Sequence, residues 1–290
     1  MTSVQKFTVP FILLAVFLCN ATKGDTLEVP MPTGAPVSGS RFDITTARQE
    51  GGTLVGERLE HLACVWDWLL EEFLKDAKIE PMRHRHRVIL YRNQREYIDN
   101  LWRIEPDIAR TNGLYHPSRK TTYFFSTEAK ILFHEGTHQI LAERFFHEKS
   151  PAFRNNFWAV EGIALFMETL KTEKDRYRIG DILANRLYSA KIYRFEQNHN
   201  LPIRQLVAMN AAEIQLSKDL QKIYSQSATL THWLIFAEGG RYREALFELL
   251  WRIYRDEATP ETLSELTGLS YEELDAKYAK FLQTIPPDKQ

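Results

Sequence analysis

Apolar positions recur along the chain with two periods, and the switches between them outline its elements. Phe42–Thr46 alternates apolar and polar side chains, the mark of a strand with one buried face. Glu57–Lys75 instead spaces Leu59, Leu62, Ala63, Trp66, Leu69, Leu70 and Phe73 along one face of a helix. Val88–Tyr91 reads as a buried strand, and Asn93 caps a short helix carrying Tyr97, Ile98, Leu101 and Trp102. Gly113–Tyr115 and Thr121–Phe125 flank His116-Pro117-Ser118-Arg119-Lys120, which predicts a hairpin, and Pro117 suggests a sheet edge. Ser126 or Thr127 then caps a long helix, with Glu128 in its first turn, where a negative charge suits the helix dipole. From about Ser150 the pattern is nearly all helical: Phe157–Thr169, Ile179–Arg194, Ile223–Glu238, Tyr242–Arg255 and Tyr271–Thr284. The expectation is an α+β chain with one domain over 41–290. A mixed α/β lobe with a small sheet (41–149) precedes a mainly helical lobe (150–290).

Composition excludes more than it identifies. With 44% hydrophobic and 26% charged residues the chain can build a packed core. A net charge of −1 gives no basic footprint for nucleic acid and no polybasic patch for a membrane. The basic run His84-Arg85-His86-Arg87 leads into an apolar strand and reads as its solvated start.

At the N-terminus, Lys6 precedes Phe7–Cys19, an apolar run of 13 residues broken by Thr8 and Pro10. That is short of the ~20 residues a bilayer span needs. Small residues follow at Ala21, Thr22 and Gly24, so residues 1–24 are expected to be a secretory signal cleaved after Ala21 or Gly24. The protein is then exported, periplasmic or extracellular, with no stable membrane span. Leu18 stands where a small residue precedes a lipidated cysteine, which argues against a lipoprotein at Cys19. Residues 25–40, with Pro30, Pro32, Pro36, Gly34 and Gly39, read as a flexible leader. Cys64 is then the one cysteine left, without a disulfide partner, in an apolar stretch that would bury it.

His134-Glu135-Gly136-Thr137-His138 carries the chemistry. Four residues apart on a helix, His134 and His138 stand one above the other and can reach one ion, with Glu135 at a neighbouring azimuth. Gly136 costs such a helix about 1 kcal/mol, which points to close packing there. Downstream, Trp158–Ala164 is an apolar helical segment with Glu161 as its lone acid, a group costly to bury unpaired. The 22 residues between His138 and Glu161 allow a loop and a returning helix. Two histidines, one carboxylate and an open fourth position make a catalytic zinc site. His61, His147 and His199 have no partner motif and read as incidental.

The pairing of HExxH with Trp158-Ala159-Val160-Glu161-Gly162-Ile163-Ala164 resembles the gluzincins, metallopeptidases whose third zinc ligand is Glu. Phe166-Met167-Glu168 extends the likeness. More broadly the chain resembles a bacterial gluzincin-like family of unknown function. That likeness covers Val88–Tyr97, Gly113–Tyr115, both motif helices, Tyr224-Ser225-Gln226-Ser227 and Leu269–Leu282. It implies a zincin-like fold but no substrate. The sequence departs from the gluzincin aminopeptidases in one respect: no G-x-M-E-N stretch, which captures a substrate's free amino terminus in them, precedes the motif helix, so aminopeptidase activity is not expected and endopeptidase or carboxyl-side cleavage stays open.

Roles follow from zincin chemistry. Zn2+ acidifies a water, and Glu135 takes its proton and passes it to the leaving amine. Glu168, two turns from Glu161, is expected to orient a ligand imidazole. The oxyanion donor is expected to be Tyr224, then His232, then Tyr115 or His116. Thr121–Phe125 is expected to pair, as an edge strand, with a peptide or protein substrate. The expected function is an exported zinc-dependent metallopeptidase. A non-catalytic zinc-stabilised binding module and a zinc amidase acting on cell-wall peptides are the alternatives.

Overall fold

The computed structural model describes residues 26–31, 41–75, 77, 79, 82, 84–145, 152–182, 184–199 and 201–287. The expected signal, most of the expected leader and His147 lie outside them.

The chain is α+β, as the alternation of periods predicts. Strand β1 (Leu27–Pro30) is followed by β2 (Phe42–Thr46), helix α1 (Gln49–Phe73), β3 (His86–Leu90) and α2 (Gln94–Leu101). Next come β4 (Gly113–His116), β5 (Thr121–Phe124) and the long α3 (Ala129–Phe145). Strands β2 to β5 form one mixed sheet in the order β2-β3-β5-β4. β3 runs parallel to both β2 and β5, and β4 closes the hairpin antiparallel to β5. The hairpin is therefore at an edge, but its edge strand is β4. β5 has β3 on one side and β4 on the other, so Thr121–Phe125 cannot receive a peptide.

α3 packs against the sheet, α1 and the next helix, α4 (Phe157–Met167). Every residue of α4 is buried, as its almost wholly apolar sequence requires. A small hairpin follows, β6 (Lys171–Thr172) and β7 (Arg176–Ile179), then α5 (Asn185–Phe195), α6 (Ile203–Ala208), α7 (Ala211–Gln215) and α8 (Leu220–Phe236). α9 (Arg243–Tyr254), α10 (Thr262–Thr267) and α11 (Tyr271–Thr284) complete the chain.

Several expectations need correction. Leu27–Pro30 is no loose leader: Leu27 and Val29 are buried, and β1 pairs antiparallel with β7. The second half is accordingly not purely helical, and Ile179 ends a strand rather than opening a helix. Arg176–Ile179 alternates partly exposed and buried residues, and Ile179 pairs with Leu27. One hydrophobic core runs through both halves, from Phe42 and Trp66 to Phe247 and Leu274. At the head of α3, Ser126 accepts the N–H of Glu128 two residues on, and Glu128 stands just before the first turn instead of in it. Asn93 caps α2 as predicted, accepting the N–H of Glu96.

The basic run before β3 is also more than a solvated start. His86 is buried, and its Nδ1 meets Oε2 of Glu143 at 2.9 Å, while His84 Nε2 meets the same oxygen at 3.1 Å. The other Glu143 oxygen accepts from Gln139, whose own carbonyl accepts from Thr122 in β5. A buried carboxylate late in α3 thus ties that helix to the start of β3 and to β5. A charge so placed persists because its hydrogen bonds are met.

Candidate metal centre

α3 and α4 cross so that one turn of each faces the other. The i, i+4 spacing puts both imidazoles of α3 on the α4 side, with Nε2 of His134 and Nε2 of His138 3.2 Å apart. Glu161 comes from α4 to meet them. Its two oxygens stand 3.6 Å from His134 Nε2 and 3.8 Å from His138 Nε2. Among the described residues this is the group whose side chains could hold a metal ion, with all its ligand atoms within 4.8 Å of one another. The side chains of His134 and His138 keep 16% exposure while Glu161 keeps 6%, so the group opens to solvent on the α3 side.

Glu168 lies at the end of α4, and its Oε1 meets His134 Nδ1 at 2.9 Å. The bond fixes the ring and leaves Nε2 pointing into the group. A carboxylate behind a ligand imidazole orients it and raises its basicity. Glu168→Ala should therefore weaken metal binding about 10- to 100-fold, measured by competition with a chromophoric chelator. Unchanged affinity would leave Glu168 no such part.

Electrostatics favour a proton on His134. Burial disfavours charge on His134, but hydrogen bonds to Glu161 and Glu168 outweigh it and raise the imidazole to about 10. His138 is lowered, by burial first and by the neighbouring His134, against the pull of Glu161. Burial alone would raise Glu161, yet its bond to His134 and the two imidazoles hold it below the usual carboxylate range. A metal ion must displace the His134 proton. Between pH 7 and 9 each ion bound should release about one proton, and affinity should climb about tenfold per pH unit. Calorimetry in buffers of different ionisation enthalpy measures both. A flat pH profile would show that His134 carries no proton to lose.

Glu135 does not join the ligand group. β4 crosses above it so closely that a side chain at Gly113 would meet Glu135 Cγ at 3.0 Å, and the N–H of Tyr115 donates to Glu135 Oε2 at 2.9 Å. The carboxylate is thus held between the metal group and the edge strand.

Of the expected oxyanion donors the fold brings Tyr224 to the group. Its hydroxyl shares a hydrogen bond with Glu161. Burial, then the negative charges of Glu161 and Glu135, push the phenol far above its ordinary range, so it stays a protonated donor. His232 lies further along α8, buried among Phe166, Phe236 and Phe281, and its Nε2 bonds the carbonyl of Gly180 at 3.2 Å. Tyr115 is buried in the core, where burial first and the charge of Glu143 next push its phenol far above the ordinary range. His116 follows on the opposite face of β4. His61 packs on Tyr177 near Thr172, and His199 lies beside Lys222, both outside the group. Cys64 is buried as expected, near the Arg41 guanidinium.

Three contributors have no local signal in the sequence. The Tyr115 N–H is backbone, Tyr254 of α9 places its phenol where the Glu161 charge acts on it, and Arg186 of α5 acts on Tyr224. No family model matches the chain, and no curated protein matches it in sequence.

Proposed function

We propose that the protein is an exported zinc metallopeptidase of gluzincin type with a zincin-like fold. The observation that carries this reading is the convergence of His134, His138 and Glu161, from two crossing helices, beside Glu135 and the open edge of β4. The donor set is that of zinc peptidases. Its spacing also suits the ion: ligand atoms about 2.0–2.1 Å from a tetrahedral zinc stand about 3.3 Å apart, against 3.2, 3.6 and 3.8 Å here. A zinc ion bound there supplies Lewis acidity, polarising a carbonyl and bringing the pKa of water towards 7.

The chain's own residues supply the rest. β4 has no strand on its outer side among the described residues, so an extended peptide can pair along Gly113–His116. Glu135 takes the proton of the attacking water as its oxygen bonds the carbonyl carbon. It returns that proton to the amide nitrogen, which leaves as an amine when the C–N bond breaks. Tyr224 turns its O–H from Glu161 to the carbonyl oxygen as negative charge gathers there. Tyr224→Phe should lower kcat about 10²- to 10³-fold with little change in KM or metal content. A loss confined to KM would make Tyr224 a binding group instead.

A carboxylate beside an open ligand group also favours catalysis over a binding module that merely uses zinc for stability, which needs Glu135 for no more than the hydrogen bond from the Tyr115 N–H. The deciding experiment incubates zinc-loaded protein with a complex peptide mixture and reads new termini by mass spectrometry, with Glu135→Gln as control. New termini specific to the wild type are expected. Their absence from zinc-loaded protein would turn the reading towards the binding module or an amidase of cell-wall peptides.

A further inference from the structure

Charge is spread unevenly along the chain. Residues 84–125 hold eight Lys and Arg against four Asp and Glu, a net charge of +4 in a chain whose total is −1. The overall balance therefore hides a basic region, and the sheet gathers part of it at one corner.

Strand register shows where. Arg85 and Arg87 flank the buried His86, so both lie on the opposite face, exposed. Arg87 stands beside Thr121 of β5, and Thr121 beside His116, the last residue of β4. The turn from β4 to β5 carries Arg119 and Lys120, both exposed, and the Arg87 guanidinium donates to the Arg119 carbonyl. Four cations thus share the corner where the open edge strand ends. Asp43 of β2 stands directly across from Arg87. Even so, among the described residues none of the four forms an ion pair with a carboxylate, whereas Arg92 and Arg95 on α2 pair with Glu96 and Asp99.

Folding does not call for this cluster. Lys120 closes the turn at φ 46° and ψ 48°, the left-handed region that Gly enters at less cost than lysine does. Like charges gathered on one surface repel one another, and an anion brought to them relieves that repulsion.

We infer that this corner is a docking surface for an acidic stretch of the peptide substrate, a few residues from the bond that is cleaved. The inference rests on the peptidase reading and narrows its substrates to acidic peptides. Position supplies the link to the centre. Tyr115, whose N–H holds Glu135, immediately precedes His116, so a peptide paired along β4 passes Glu135 and runs on to the corner. Carboxylates there meet two or more cations at once, with Arg119 offering paired N–H donors.

The test measures binding without turnover. Zinc-loaded Glu135→Gln protein is titrated with fluorescent peptides in matched pairs, which carry a run of Glu or of Gln on one side of a common central segment or on the other. One Glu peptide should bind about three- to tenfold tighter than its Gln partner at low ionic strength, and the gap should close as salt is added. The side that responds gives the direction in which the peptide runs along β4. Arg119→Gln combined with Lys120→Gly should remove the preference while the Gln peptides bind as before. Lys120→Gly alone should leave the melting temperature level or higher, since glycine suits the turn, and should still weaken the Glu peptide. Equal binding within both pairs, or a preference that survives the double substitution, would overturn the assignment and leave the peptidase reading standing. Binding to vesicles with anionic headgroups, lost on the same substitutions while the peptides show no preference, would overturn it in favour of a membrane surface. Failure of every peptide to bind zinc-loaded protein would remove the peptidase reading and the assignment with it.

Discussion

Replacing Glu135 by Gln should abolish nearly all hydrolysis while leaving the metal in place. Gln keeps the size of Glu, and its carbonyl oxygen can still accept the Tyr115 N–H that Glu135 Oε2 now accepts at 2.9 Å. β4 should therefore stay seated over α3, and the melting temperature should hardly move. His134, His138 and Glu161 are untouched, so metal content at saturation should match the wild type. What the amide cannot do is take a proton from water or return one to the leaving nitrogen. General acid–base transfer contributes about 10²- to 10⁴-fold, and a loss of that order is expected in kcat. Initial rates on a peptide found in the mass-spectrometric screen, with metal measured on the same preparation, make the comparison. Near-normal turnover would sink the general-base assignment. Lost metal would instead place Glu135 among the groups that hold the ion.

The centre was more legible in the sequence than the fold around it, because its signals are local. Two histidines four apart on a helix need no knowledge of the rest of the chain to converge. Glu161 betrays itself as a lone acid in a segment too apolar to face water, and α4 is buried at every position. Gly136 was legible for the same reason, as a costly residue inside a helix. The failures are all tertiary. β1 lies among prolines and glycines, and only its partner β7, far along the chain, makes Leu27–Pro30 a strand. A hairpin pattern does not say which strand inserts beside β3, so the open edge was assigned to Thr121–Phe125 when it belongs to Gly113–His116. His84 and His86 look like a basic surface until Glu143 is brought beside them.

Two glycines should respond in opposite degree to a single methyl group, and the larger response should reach the metal. Gly162 follows Glu161 on α4 where that helix crosses α8. An added Cβ would stand 2.3 Å from Thr231 Oγ1, 2.7 Å from the carbonyl oxygen of Ser227 and 3.2 Å from its carbon. The threonine hydroxyl can rotate, but the Ser227 backbone cannot yield unless α8 moves. Gly136 also sits at a close approach, of α3 to α1, where a Cβ would stand 2.7 and 2.8 Å from Cδ2 atoms of Leu62 and Leu59. Those are ends of flexible side chains, and alanine recovers about 1 kcal/mol of helix propensity in exchange. Gly162→Ala should therefore cost about 1–3 kcal/mol or more by overpacking. That is a fall of about 2–12 °C in Tm for a domain of this size. Gly136→Ala should stay within about 1 kcal/mol of the parent. Tyr224, Ser227 and Thr231 share the face of α8 that meets α4, and Gly162 is next to Glu161, so making room for the methyl displaces the ligand carboxylate itself as well as the Tyr224 phenol. Metal affinity and turnover of Gly162→Ala should fall even where it is fully folded, and those of Gly136→Ala should not. Thermal melts with metal titrations on both variants decide the matter. Equal stabilities would mean that α8 yields freely, and that the contact between α4 and α8 does not set the geometry of the centre.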